Sequence, residues 1–173
     1  MKKEISKNTI DKAVHKFDPF ERINLFYTYN LNIEESIKQQ LIILLARKDN
    51  RETDQRTTFY LHNVLNFPVL KNLRDQIISI IEKHNLFLSN SWCQFYNKND
   101  GHPIHTHGES KYSGIIYVDG NEASSTTFYD KNFDTYQHTF KKNTLLLFPS
   151  WIPHEVKKLK KDEQRLIISF NTL

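Results

Sequence analysis

Residues 144–173 read TLLLFPSWIPHEVKKLKKDEQRLIISFNTL, and the fold turns on how that stretch is taken. It contains three short runs, TLLLFPS, HEVKKL and RLIISFNTL, parted by the tight turn Pro149-Ser150-Trp151-Ile152-Pro153 and by a lysine-rich polar segment. Brief runs rich in aromatic and branched residues, bounded by turn-forming clusters, read as β-strands. Working back to Leu86, five more runs of the same kind follow one another at roughly ten-residue intervals: SWCQFYN, PIHTH, YSGIIYV, STTFYD and TYQHTF. Residues 86–173 thus offer eight candidate strands.

Before Leu86 the period is that of helices. Ile33, Ile37, Leu41, Leu44 and Leu45 form one apolar stripe between Ile33 and Lys48, and Leu70, Leu73, Ile77, Ile80 and Ile81 form another between Pro68 and His84. Pro68 stands near the start of the second, where its missing N–H costs nothing. The polar segment DNRETDQRTT between them reads as a loop, and FYLHNVL at 59–65 as a strand or an irregular connection. Helices followed by many short strands predict an α+β fold, a small β-sandwich or barrel backed by helices. At 173 residues the chain fits a single domain: 1–85 a mainly helical support, 86–173 the β core.

Composition narrows the function classes. Charged residues make up 25% and apolar ones 38%, which excludes a disordered tail, and the 13% of aromatic residues implies a Phe/Tyr-rich interior. The net charge of +4 comes from 24 basic and 20 acidic residues dispersed along the chain, an argument against nucleic-acid binding. The single cysteine, Cys93, lies between Trp92 and Phe95. It reads as a packed free thiol and favours a reducing, cytoplasmic setting. MKKEISKNTIDKAVHKF lacks the apolar centre of a signal peptide, and LIILLA at 41–46 is too short to span a bilayer, so neither export nor a membrane is expected.

The stretch GHPIHTHGES, residues 101–110, holds three of the eight histidines. In an extended segment His105 and His107 project from one face, close enough to share a ligand. Alone, such a pair also reads as a polar face turned to solvent. His102 has the opposite parity and reads as a loop residue. Downstream, His154 follows the Pro149–Pro153 turn at the head of the seventh strand, and Arg165 heads the eighth.

The words PIHTH, SGIIYV, LLLFPSWIPHEV and RLIISFN, in that order, resemble the 2-oxoglutarate- and iron(II)-dependent oxygenases. The likeness is strongest to a small subgroup from bacteria and bacteriophages with an HxH…H…R pattern, and it covers about half the chain. It implies a double-stranded β-helix, a jelly-roll or cupin-like barrel, with iron(II) held by His105, His107 and His154. It also implies 2-oxoglutarate as co-substrate, its far carboxylate gripped by Arg165, and dioxygen as oxidant. A guanidinium suits that grip because it binds a carboxylate through two parallel hydrogen bonds and keeps its charge. Ser169, four residues on and so on the same strand face, and Tyr96, nine residues before His105, are further candidates for the co-substrate. Tyr117 is a weaker one, and both tyrosines also read as core residues.

The superfamily usually has a carboxylate where this chain has His107. Three neutral imidazoles leave the metal's +2 charge to be offset by anions. Pairing His107 with Glu109 would restore a carboxylate, with His105 beside the site. The resemblance implies a hydroxylase that acts on a small-molecule or peptidyl substrate. Two other readings stay open: a three-histidine cupin-type dioxygenase that needs no 2-oxoglutarate, and a metal-stabilised barrel that only binds a ligand.

Overall fold

The computed structural model describes residues 25–46, 56–59, 63–121, 124–130, 132–160 and 163–173. Among these residues ten strands and two α-helices follow one another as β1 (Tyr27–Asn30), α1 (Glu35–Ala46), β2 (Arg56–Thr57), α2 (Lys71–Ile81), β3 (Leu88–Tyr96), β4 (His102–His105), β5 (Tyr112–Gly120), β6 (Thr126–Tyr129), β7 (Thr135–His138), β8 (Thr144–Pro149), β9 (His154–Val156) and β10 (Arg165–Thr172). Strands β3 to β10 are the eight expected from the sequence. All named strand pairs are antiparallel, in a six-stranded sheet ordered β1-β8-β5-β10-β3-β2 and a four-stranded sheet ordered β4-β9-β6-β7. The two sheets make the expected jelly-roll.

The central strands of the larger sheet are apolar on both faces, and the packing shows why. Ile116, Val118, Leu145, Leu147, Leu166, Ile168 and Phe170 face the helices, in one core with Leu41, Leu73 and Ile77. Their alternates Ile115, Tyr117, Leu146, Phe148 and Ile167 face the smaller sheet, in a second core with Phe128 and Val156. A strand covered on both sides reads as an unbroken apolar run rather than an alternating one. TLLLFP and RLIISF are such runs.

Helix α1 buries Ile37, Leu41 and Leu45, and α2 buries Leu73, Ile77, Ile80 and Ile81, each burial worth about 2 kcal/mol. Pro68 opens a 3-10 turn that leads into α2, and Asn85 closes the helical segment in the left-handed conformation. The segment FYLHNVL is an irregular connection where it is described: Asn63 makes an isolated bridge to Ser91, and Val64–Asn66 is a 3-10 turn. Two strands went unread in the sequence. Strand β1 pairs with β8 along the sheet edge, and β2 lies within the stretch expected to be a loop. The N-terminal stretch up to residue 24, most of the expected loop at 49–58, and Glu122 and Ala123 lie outside the described residues.

Candidate metal centre

Strand pairing brings the distant histidine segments together. In the β4–β9 ladder His105 stands opposite His154, and their ring centroids are 4.2 Å apart. His107 does not share the strand, which ends at His105. Its backbone N–H donates to the carbonyl of Ser150 at 2.9 Å, which folds the loop back over the β8–β9 turn. The His107 ring thereby comes to 5.0 Å from His105 and 5.3 Å from His154. One ligand atom from each of the three lies within 4.8 Å of the others, a spacing that could hold a metal ion. Glu109 is exposed and outside this group.

His102 departs from its sequence reading. It begins β4 instead of lying in a loop, opposite Val156, and three steps along β4 match two along β9 before His105 meets His154. This β-bulge cancels the opposite parity. His102 lines the same cavity as the other three histidines, with its ring 4.2 Å from that of His105. Its Nδ1 is buried without a partner.

Burial sets the protonation of these rings. It depresses His154 to about 3 and His107 to about 4, and lowers His105 as well. Neighbouring imidazoles push His154 and His107 the same way. All three are neutral at pH 7, as metal ligands must be. The Nδ1 atoms of His154 and His105 lie 2.9 and 2.8 Å from the carbonyl oxygens of Ile152 and Pro103. A carbonyl only accepts, so Nδ1 carries the proton and Nε2 keeps its lone pair.

In the same cavity Arg165 is fully buried. Its Nη1 donates to the Ser124 carbonyl at 2.6 Å and its Nη2 to the Thr126 hydroxyl at 2.8 Å, while Nε has no partner. No carboxylate pairs with it among the described residues. Its Cζ lies 5.8 Å from the ring centroid of Tyr96 and 5.3 Å from that of Tyr117. The hydroxyl of Tyr117 bonds Thr126 at 3.1 Å. Burial pushes the Tyr96 phenol up to about 12, so it is a donor at neutral pH.

Register fixes how these groups are spread. Tyr96 stands opposite Arg165, Gln94 opposite Ile167 and Trp92 opposite Ser169. All six line a cavity of about 390 Å³ that also takes in the histidines. Ser169 is thus placed beside Trp92, some 13 Å along the strand from Arg165. Trp92 in turn has its ring centroid 5.8 Å from that of His107. Sequence reasoning passed over Thr126, Trp92 and Gln94. The last two were visible as the alternate positions leading to Tyr96 in SWCQFY, a strand whose other face is core.

Residues 123–171 match the family described as "Putative 2OG-Fe(II) oxygenase". No curated protein matches the chain. Among solved structures, the chain is similar to a prolyl hydroxylase from Trichoplax adhaerens in complex with a hypoxia inducible factor peptide fragment. That likeness has 16% identity and a TM-score of 0.67, over 98% of this chain and 94% of that one. It is also similar to the non-heme alpha ketoglutarate dependent epimerase SnoN of nogalamycin biosynthesis, at 11% identity and a TM-score of 0.68, over 94% and 83% of the chains. A viral collagen prolyl hydroxylase from Paramecium Bursaria Chlorella virus-1 follows at 10% and 0.63, over 86% and 94%. The match of residues 123–171 and the shared fold agree with the resemblance in motif order: this chain has the double-stranded β-helix fold of these solved structures.

Proposed function

We propose that the protein is a non-haem, iron(II)- and 2-oxoglutarate-dependent oxygenase that hydroxylates a C–H bond. Substrate, dioxygen and 2-oxoglutarate would give hydroxylated product, succinate and carbon dioxide. The observation that carries this reading is a fully buried Arg165 with no described carboxylate partner, in the same cavity as three convergent imidazoles. A buried cation calls for an anion, and a metal held by three neutral ligands calls for negative charge as well. One dianion serves both.

The donor set fits iron(II), for which imidazoles are suitable ligands. His105, His107 and His154 would hold it, and bound iron would supply the activation of dioxygen. The chain's own groups would bind and orient. The spare N–H of Arg165 and the Tyr96 hydroxyl would grip the far carboxylate of the co-substrate. Thr126 and Tyr117 fix the guanidinium from the other side. The apolar walls Ile115, Phe148 and Val156 would exclude water from the pair. A three-histidine dioxygenase that chelates its substrate directly would leave Arg165 without a task.

Succinate release from iron(II), 2-oxoglutarate and dioxygen tests the proposal, since such turnover can run without the second substrate. Succinate is expected from the wild-type protein and none above background from His154→Ala. Iron binding by the wild-type protein with no affinity for 2-oxoglutarate would overturn it.

A further inference from the structure

The alternation of β3 and β10 leaves two polar side chains in the cavity that the proposed chemistry does not use. Gln94 and Ser169 are 9% and 8% exposed, so each is more than nine-tenths buried. No side-chain hydrogen bond joins either to another described residue, and their polar atoms open to the cavity that both line. They occupy adjoining rows of the floor, Gln94 facing Ile167 and Ser169 facing Trp92, on the side away from Arg165 and toward His107. Buried amides and hydroxyls in native proteins are almost always paired. Here the cavity supplies the pairing, from solvent or from a bound molecule that displaces it.

The surroundings limit what can supply it. Arg165 is the only formally charged side chain among the described residues that line the cavity, and it lies two rows from Ser169. A charged group placed above Ser169 would sit about 13 Å along the strand from that guanidinium, with no other formal charge in the lining. Trp92 and Phe59 meet edge to face there, with ring centroids 5.2 Å apart, and form an aromatic wall beside His107. A primary amide both donates and accepts, so it is complementary to another amide edge.

We propose that Gln94 and Ser169 select the molecule to be oxidised: an uncharged compound whose amide-type edge pairs with them while an apolar ring packs on Trp92 and Phe59. This rests on the oxygenase reading and adds the substrate class to it. The two residues are specificity determinants; neither touches the co-substrate.

The test uses the protein loaded with iron(II) and 2-oxoglutarate without oxygen, and three probes that share a phenyl ring and differ in charge: benzamide, benzoate and benzylamine. Dissociation constants come from the broadening of probe proton signals by the metal. Benzamide is expected to bind at least about tenfold more tightly than the other two. Gln94→Leu should abolish that preference, Ser169→Ala should weaken benzamide several-fold, and neither should shift the 2-oxoglutarate affinity more than about twofold. Gln94→Glu keeps the shape of the side chain, and should lose benzamide and gain benzylamine. Equal or absent binding of the three probes, with 2-oxoglutarate bound normally, would overturn this assignment and leave the oxygenase reading standing. Weakened 2-oxoglutarate binding by Gln94→Leu would also overturn it. Failure of wild-type protein to bind 2-oxoglutarate would strike the underlying reading instead.

Discussion

Replacing Arg165 with methionine separates two roles that a buried arginine can have. Taking a guanidinium out of water costs several kcal/mol. Two charge-assisted hydrogen bonds, to Ser124 and Thr126, return about 1.5 to 3 kcal/mol each, and the unpaired Nε adds a further cost. The sum is near zero, and methionine fills much of the same volume without polar atoms. Thr126 keeps its bond to Tyr117. The buried Ser124 carbonyl does lose its donor, so the unliganded Arg165→Met protein is expected to be destabilised by about 1 to 3 kcal/mol. Binding is another matter. Losing one partner of a buried charge pair costs about 3 kcal/mol, a factor of roughly 150 in affinity. At a 2-oxoglutarate concentration about 100 times the wild-type dissociation constant, the ligand stabilises wild type by about 2.7 kcal/mol and the variant by only about 0.3 kcal/mol. Urea unfolding of both proteins with iron(II), in the absence of oxygen and with and without 2-oxoglutarate, reads all four values. A variant crippled without ligand, by more than about 3 kcal/mol, would show Arg165 to be a structural element. Undiminished stabilisation by 2-oxoglutarate would show that the anion binds elsewhere.

Three further outcomes follow from the coordinates. His107→Ala should lose iron(II) affinity by at least tenfold on titration, whereas Glu109→Ala, altering an exposed side chain outside the histidine group, should bind as wild type; the reverse result would shift the ligand set to Glu109. Gly114→Ala would set a methyl 2.1 Å from Cζ of the fully buried Phe170 ring, and should lower stability by about 1 to 3 kcal/mol in urea unfolding. The Cys93 thiol is fully buried and its pKa is pushed up by desolvation, so the folded protein keeps its proton where the unfolded chain gives it up. Its stabilising contribution is intact below about pH 8.5 and should decline by roughly 1.4 kcal/mol per pH unit above that. Unfolding midpoints between pH 8 and 10 should fall more steeply for wild type than for Cys93→Ala, and parallel curves would refute the burial.

The strands of the C-terminal half were legible because each is brief and ends in a turn cluster, and because RLIISF and TLLLFP are apolar throughout, as strands between two covered layers must be. The helices were legible from a stripe that recurs at helical spacing, in Ile37, Leu41 and Leu45. Strand β1 was not: YTYN has only four residues, and it is a strand because β8 offers it an edge. Within the site, the order of His105, His154 and Arg165 could be read, since ladder pairing of remote segments follows from the fold. How His107 reaches the others could not, because it depends on one backbone bond to Ser150, which no spacing rule contains. The facing of His102 was misread for a related reason. Parity counts residues and assumes an even ladder, whereas the β4–β9 pairing is uneven.

That unevenness has an effect beyond the histidines. Among the described residues β4 is the outer strand of its sheet, paired only with β9, and it carries Ile104 at 51% exposure. An outer strand with an exposed apolar side chain can invite another chain to add itself by backbone bonding, the first step of aggregation. The extra residue twists the border out of plane, and Pro103 offers no N–H to an incoming strand. The kink that brings His102 over the cavity therefore also helps keep separate copies of the protein from joining along this rim.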